Sequence, residues 1–433
     1  MNYTSFVIAI LMSVMKMGLA DAVAQWTIAG GFMHTCATDG ISLYCWGSNS
    51  YGQLGSGKAV TERTPTKIPL PSNRKVRFLS AHDYNTCVVY ENNSVSCWGN
   101  NKDGQAGLGR QEPKFGDISD TRVDKLSPIL LGTTKQVTGI SAGGSNICVL
   151  FEDGTLKCWG NNDYGQLGLG DMIDRGTKSS DMGNSLPFVD LGGEKAIDIM
   201  ASGANTCAIL DDRSLRCWGN YTAIGSGGSV NLGTQKSHMG KNLKPVSLGN
   251  GASVEAIASG GIHTCALLKG NRVKCWGFNY YGSLGLGDVL NTVIGDSPGE
   301  MGENLRPVNI DTLHVIQITA RQWSTCALLE NHAIKCWGYN AYGDLGLGDT
   351  KARGVSLDEM GENLPFVNLG RLARVESIAQ SGHHTCVTLS NNRVKCWGWG
   401  FYGQTGAGDS ANIGTTPESM GDNLKAIELP TLR

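Results

Sequence analysis

The chain has 433 residues, with 36 basic and 38 acidic side chains, a formal charge of −2, and 60 glycines, about twice the usual share. Charge this balanced, without a basic stripe or tail, excludes an ordinary nucleic-acid-binding domain. No apolar stretch of 18 residues free of charge occurs, which argues against a conventional membrane-spanning helix.

At the N-terminus, Phe6 to Val14 is a short apolar run, followed by Lys16 and then by Ala22-Val23-Ala24, which fits the small-residue rule for cleavage. Residues 1–24 are therefore expected to be a signal peptide, leaving 25–433 as the folded part. No Lys or Arg precedes the apolar run, so a disordered or membrane-associated arm is the alternative. Trp26-Thr27-Ile28-Ala29 already belongs to the first repeat.

From there a phrase returns seven times: a cysteine, eight or nine residues, then Cys-Trp-Gly. The pairs are Cys36 with Cys45, Cys87 with Cys97, Cys148 with Cys158, Cys207 with Cys217, Cys265 with Cys275, Cys326 with Cys336 and Cys386 with Cys396, and they use all 14 cysteines. Successive second cysteines lie 52, 61, 59, 58, 61 and 60 residues apart, the mark of one supersecondary unit copied and packed on its neighbours.

The fifth copy shows the unit. Val254 to Gly260 reads as an alternating strand, His263 to Leu268 as a second, Lys269-Gly270-Asn271 as a turn and Arg272 to Gly277 as a third strand. Glu152-Asp153-Gly154 makes the same turn in copy three. In this register Cys265 faces Cys275 and Leu267 faces Val273, which brings the two sulfurs within disulfide reach. Disulfides require an oxidising compartment, which a signal peptide would supply. Reduced core thiols are the alternative, and zinc a weaker one, because no second pair in the unit completes a tetrahedral set.

A glycine-studded turn follows each Cys-Trp-Gly, as in Asn162-Asp163-Tyr164-Gly165-Gln166-Leu167-Gly168. Five copies then carry a long connection ending in Met-Gly-x-Asn-Leu or a near variant. Ser356-Leu357-Asp358-Glu359 within it is a capping box, so a one-turn helix is expected. Pro245 to Leu248 and Pro365 to Leu369 read as a fourth strand. Copy one lacks this Pro-Val-x-Leu segment while Lys425 to Leu429 stands unmatched at the other end. The expected fold is all-β: a seven-bladed propeller of about 52–61-residue repeats, its ring closed by N- and C-terminal strands paired in one blade.

These residues resemble the regulator of chromosome condensation repeat family, whose unit is similar to the stretch from His263 to Gly287, with Ser283 where the family has Gln. The resemblance extends from about Gln25 to the end and implies the propeller fold and recognition of proteins on a propeller face. The family includes a nuclear guanine-nucleotide exchange factor, from which this chain departs in lacking a basic tail and in carrying paired cysteines. Copy four, Cys217 to Gly225, is two residues short, and the connection from Arg110 to Ser127 lacks the Met-Gly motif. Such irregular loops are candidate contact sites.

No catalytic constellation rides on the repeat. Gly139-Ile140-Ser141-Ala142-Gly143 matches Gly-x-Ser-x-Gly but falls on a strand rather than at a strand-to-helix elbow. His34, His263 and His384 share one position, two residues before a cysteine, where other copies carry Asn85, Asn146, Asn205 and Ser324. A position alternating in this way holds a structural hydrogen bond rather than a metal. The repeat tryptophans read as blade-to-blade core, whereas Trp323, Trp399 and Phe401 lie off that register and are candidates for surface contact. Asp171, Asp288, Asp349 and Asp409 close Gly-x-Gly-Asp turns without the spacing of a calcium loop. Asn92-Asn93-Ser94 and Asn220-Tyr221-Thr222 are glycosylation sequons, so Asn92 and Asn220 are candidate modified residues.

The expected function is that of a secreted or cell-surface scaffold, monomeric and non-catalytic, without cofactor, metal or nucleic acid, binding a protein or a glycan on a propeller face. The alternative is a cytoplasmic exchange factor or signalling scaffold acting on a small GTPase.

Overall fold

Short runs of β-branched and apolar residues, each closed by Gly, Asn or Asp, form an antiparallel sheet in every copy, and strand order in the sheet follows chain order. In the fifth copy the strands are Val254–Ser259, His263–Leu268 and Arg272–Phe278. The computed structural model describes residues 25–110, 112–288, 293–310 and 312–430. The expected signal peptide lies outside the described residues. Among these residues there are seven antiparallel sheets of three or four strands, arranged as a seven-bladed propeller, and no helix is long and apolar enough to cross a membrane. The first strand of each sheet is innermost and touches that of the next, and the last, Val375–Gln380, returns to the first, Thr27–Gly30.

The mode of closure differs from expectation. The first sheet takes all four strands from the N-terminal part of the chain, Thr27–Gly30, His34–Thr38, Leu43–Gly47 and Glu62–Ile68. Ile427 instead hydrogen-bonds through its N–H to Val394 O in the last blade. The chain ends thus meet as neighbouring blades rather than inside one sheet. Thr66-Lys67-Ile68 is the fourth strand that copy one was expected to lack. It is continuous there because no Met-Gly connection interrupts it. In copies three, four, six and seven the connection splits the fourth strand. One residue bridges the third strand near the Cys-Trp-Gly glycine, as in Gly160–Arg175 and Gly338–Arg353. A single backbone bond remains further along, Val189 N–H to Leu156 O and Val367 N–H to Ile334 O. The connection itself winds into paired 3₁₀ turns such as Leu357–Glu359 and Gly361–Asn363, the first with its Ser356/Glu359 capping box, rather than an α-turn.

Within each blade the two cysteines stand directly opposite one another on the second and third strands. Cys265 faces Cys275, and Leu267 faces Val273 beside them. Disulfides join Cys36 to Cys45, Cys87 to Cys97, Cys148 to Cys158, Cys207 to Cys217, Cys265 to Cys275, Cys326 to Cys336 and Cys386 to Cys396. No free cysteine remains among the described residues. The paired Cα atoms are 4.0–4.1 Å apart, near the spacing of a non-hydrogen-bonded cross-strand pair.

Between blades the repeat tryptophans are fully buried. Each indole N–H donates to a turn carbonyl of the preceding blade: Trp98 to Gln53 O, Trp159 to Gln105 O, Trp218 to Gln166 O, Trp276 to Ala223 O, Trp337 to Ser283 O and Trp397 to Asp344 O, all within 2.9–3.1 Å. Trp46 completes the circle by donating to Gln404 O of the last blade at 2.9 Å. The Gly-x-Gly turns are glycine for this reason: at Gly346, with φ of 69°, a Cβ would lie 2.6 Å from the Trp397 indole nitrogen. Burying roughly 200 Å² per tryptophan contributes about 5 kcal/mol before entropy is counted. The neighbouring second-strand positions add to this seam. Nε2 of His34, His263 and His384 lies 2.7–2.8 Å from the hydroxyl of Thr86, Thr325 and Thr35 in the following blade, and Asn146 does the same to Thr206.

A buried cation is a further repeat feature. Lys157, Lys335 and Lys395, on third strands, each donate to one backbone carbonyl of their own Met-Gly connection (Gly183, Gly361 and Gly421) and to one at the end of the preceding copy (Leu131, Ile310 and Leu369), for example Leu131 O at 2.7 Å and Gly183 O at 3.1 Å from Lys157. Lys274 donates to Gly302 O and Arg216 to Leu243 O. Copies one and two, which lack the connection, carry Tyr44 and Ser96 at this position. The cation thus ties a carbonyl of the tight 3₁₀ turns, which the turn leaves unpaired, to one of the preceding blade.

Candidate binding face

The first-to-second strand turns and the loops after the third strands emerge at the same end of each blade, because the start of the second strand pairs with the end of the third: His34 with Gly47, His384 with Gly398. On this face two loops of the repeat bear aromatic rings in several copies. The turn before the second strand supplies Phe32, Tyr84, Trp323 and the imidazole of His383. The loop after Cys-Trp-Gly supplies Tyr51, Tyr280, Tyr281, Tyr339, Tyr342, Trp399, Phe401 and Tyr402.

Apart from Tyr280, which stacks on Phe278, these rings touch in a continuous arc over copies five, six, seven, one and the edge of two. Tyr51 and Tyr84 have centroids 4.5 Å apart, Tyr84 meets Phe32 at 6.0 Å, and Phe32 meets His383 and Trp399. Tyr342, Trp399 and Phe401 lie nearly parallel in a row, at 5.5 and 6.2 Å. Trp323, Tyr339 and Tyr281 form a second group that joins the first through His383. His383 is the hub. Five rings lie within 6 Å of it, and its Nδ1 is 3.1 Å from the buried Asp344 carboxylate. Gly382 permits the seam between blades seven and one, since a Cβ there would stand 2.3 Å from the Phe32 ring. At the rim the rings are open to solvent: Tyr281 is 50 % and Phe401 57 % exposed. Burial pushes the Tyr339 hydroxyl up to about 12, with neighbouring Tyr342 and Asp344 adding to the shift.

Arg321 stands at the centre of this end. Its guanidinium reaches across from blade six to carbonyls of three other blades, Gln380 O, Gly30 O and Ala81 O, at 2.8–3.1 Å. Enclosure lowers it to about 10, an effect that Asp83 opposes. Burial pushes the Asp83 carboxyl up, but His82, 3.1 Å away, and Arg321 together hold it below the ordinary range.

Copies two and three carry acids at loop positions where several other copies carry rings. Asp103 occupies the place of Tyr51 and Tyr342, and Asp163 that of Tyr280 and Phe401. The Asp103 turn abuts the next blade so closely that a Cβ on Gly104 would lie 2.6 Å from Arg175 O. Asp174, adjacent, accepts from Asn162 N–H at 2.8 Å. Burial raises both Asp103 and Asp174, and repulsion from Asp163 adds to it, as does that of Asp103 on Asp174.

Of the residues singled out in the sequence, Trp323, Trp399 and Phe401 fall together in the arc. The 14 cysteines are buried inside the blades and touch no open site. Asn92 is exposed at a hairpin tip on the opposite face, its Oδ1 accepting from Ser94, while Asn220 caps the helical turn Tyr221–Ile224 on the ringed face. Ser141 Oγ accepts from Ala201 N–H of the next blade, and no acid–base pair attends it. Asp171 and Asp349 bind Arg175 and Arg353 and latch their own loops. Among the described residues no group of three or more His, Cys, Asp or Glu is placed to hold a metal. The Arg110–Ser127 connection forms the strand Lys114–Phe115 and two 3₁₀ turns, with Val123 packed in the core where other copies place methionine. Phe32, Tyr84, His383 and Arg321 carried no sequence signal. The tyrosine two residues after the turn asparagine, as in Asn49-Ser50-Tyr51, did recur visibly.

Two signatures described as the regulator of chromosome condensation (RCC1) repeat match the chain, one over residues 42–89 and 153–210, the other over 77–105, 137–166, 254–283 and 375–404. The ultraviolet-B receptor UVR8 of Arabidopsis thaliana is 27 % identical over 334 residues, 76 % of this chain and 68 % of the receptor. The E3 ubiquitin-protein ligase HERC2 of Homo sapiens is 27 % identical over 71 % of this chain, and the X-linked retinitis pigmentosa GTPase regulator of Canis lupus familiaris 35 % identical over 32 % of it. The chain spans only 6 % and 13 % of those two proteins. Among solved structures human WBSCR16 superposes with a TM-score of 0.66 at 19 % identity, covering 85 % of this chain and 87 % of that one.

Proposed function

We propose that this chain, a propeller of the regulator of chromosome condensation repeat family, is a non-catalytic scaffold binding another protein on the ringed face. The observation that carries this reading is the continuous aromatic arc. A set of mutually braced rings, half-buried along the arc and exposed at Tyr51, Tyr281 and Phe401, presents large apolar area at low conformational-entropy cost, the composition of binding hot spots. Blade repetition explains the buried tryptophans but does not require rings on the solvent side.

The scaffold is read as secreted or displayed at the cell surface as a monomer, with residues 1–24 removed and glycans on Asn92 and Asn220. Seven intrachain disulfides fit an oxidising compartment. Intact mass decides this part: a chain beginning at Gln25 and lighter by 14 hydrogens is expected, and 14 titratable thiols would favour the cytoplasmic, GTPase-directed alternative.

For the face, quantitative affinity capture compares the parent with Trp323→Ala/Trp399→Ala and with Leu130→Ser, an exposed site outside the arc. Loss of a specific protein with the first variant alone is the expected result. A capture profile identical for all three would overturn the assignment.

A further inference from the structure

The arc stops where the acids begin, and this boundary says what kind of partner the face takes. In five copies the loop residue just before the turn glycine is tyrosine: Tyr51, Tyr164, Tyr281, Tyr342 and Tyr402. Copy two has Asp103 there, and Asp163 stands one residue before Tyr164. Asp174 joins them from the next loop. These three form an acidic track over blades two and three, apart from Asp83, which His82 and Arg321 answer at the centre of the face. Few cations answer it. Lys102 is exposed beside Asp103, Arg175 is engaged by Asp171 at 2.7 Å, and Arg321 is spent on three carbonyls. Within the track, Asp103 receives Gln105 and Asp163 receives Asn161, both uncharged amides. The carboxylates of Asp103, Asp163 and Asp174 repel one another, and Lys102 and Arg175 relieve this only in part, since Asp103 and Asp174 are both held above the ordinary range by burial and by neighbouring carboxylates.

We infer that the occupant of this face is a segment of a partner protein carrying lysine or arginine beside apolar or aromatic anchors, its anchors seated on the Tyr342–Trp399–Phe401 arc and its cations over Asp103, Asp163 and Asp174. The inference rests on the ringed face being the binding face. Rings alone would serve many ligands. The charge beside them selects against acidic ones and steers basic ones, while the packed rings hold what has arrived.

The test uses the full disulfide-bonded chain and three synthetic peptides of equal length, alternating Lys with Phe, Glu with Phe, and Ser with Phe. Calorimetry gives affinity, and the indole N–H NMR signals of Trp323 and Trp399, assigned with Trp323→Phe and Trp399→Phe, report occupancy of the arc. The lysine peptide is expected to shift both signals and to bind at least about tenfold more tightly than the glutamate peptide. Asp103→Asn/Asp163→Asn/Asp174→Asn should weaken it about tenfold, chiefly by slowing association, as should salt at several times the physiological level. Each asparagine keeps an Oδ1 acceptor, so the loop bonds survive. Asp103→Tyr, which restores the ring of the other copies, provides a second variant and should weaken the lysine peptide in the same direction. Equal binding of the glutamate or serine peptide, or no loss in both variants, overturns the basic partner and leaves the face standing. If no peptide moves either indole signal, the face and the inference fall together.

Discussion

Acid should loosen this propeller by way of three seam histidines. His34, His263 and His384 are buried and neutral, each bonded to a threonine of the next blade. Burial lowers them to about 3, about 4 and about 3 respectively, against 6.5 in the unfolded chain. The unfolded state therefore takes up protons first as pH falls. The stability these groups contribute is complete above pH 6.5 and is lost progressively between 6.5 and the folded values of 3–4. At pH 5 the deficit is about 1.5 pH units for each histidine, about 2 kcal/mol, or roughly 6 kcal/mol for three. Asp198 works in the opposite sense. Burial raises it to about 6, so the folded state binds its proton first and regains about 1.4 kcal/mol by pH 5. His82, likewise lowered by burial, adds a loss in the same sense as the seam histidines. The three seam histidines and Asp198 together lose about 5 kcal/mol, a large part of a typical folding free energy. Urea unfolding of the disulfide-intact protein at pH 7 and pH 5 measures it. His34→Asn/His263→Asn/His384→Asn should remove most of the difference, because Asn146 already makes the same bond to Thr206 at 2.9 Å. If the triple variant loses as much stability as the parent over this interval, the histidines are not the cause and the reasoning fails.

Three further outcomes are expected. Lys157→Met leaves Leu131 O and Gly183 O without their cationic donor and should cost about 2–3 kcal/mol by denaturant titration, whereas exposed Lys102→Met should change nothing. Removing one staple with Cys265→Ser/Cys275→Ser opens a loop of ten residues and should lower stability by about 3 kcal/mol in calorimetry, the fold being retained. Trp46→Phe deletes the indole bond to Gln404 O at the junction of first and last blades; it should cost about 1 kcal/mol and raise amide exchange most strongly in those two blades.

How much of this was legible differs by feature. The hairpin register followed from the cysteine spacing, because a two-residue side-chain period leaves few ways to oppose Cys265 and Cys275 across a tight turn. The seam histidines were legible too, since a place held by His in some copies and Asn in others needs a hydrogen-bonding group that neither charge nor metal specifies. Closure is not legible at copy one, where Pro65-Thr66-Lys67-Ile68 keeps only the proline of Pro-Val-x-Leu, and Glu62–Ile68 shows as a fourth strand by its pairing with Leu43–Gly47. The paired lysine contacts could not be seen, because Lys157 and Gly183 are 26 residues apart and the turn that joins them is not itself a pattern.

Local periodicity alone specifies the unit, its count of seven and the stapling of each hairpin. These depend on contacts between residues near in the chain, and a repeated unit repeats its local physics. Tertiary packing decides everything that involves a neighbouring blade: which carbonyl each tryptophan finds, how first meets last, and that rings from blades as far apart as Tyr51 and Tyr281 form one arc beside an acidic track. Blade packing brings those side chains together across long stretches of chain, over which composition and spacing carry no information about contact.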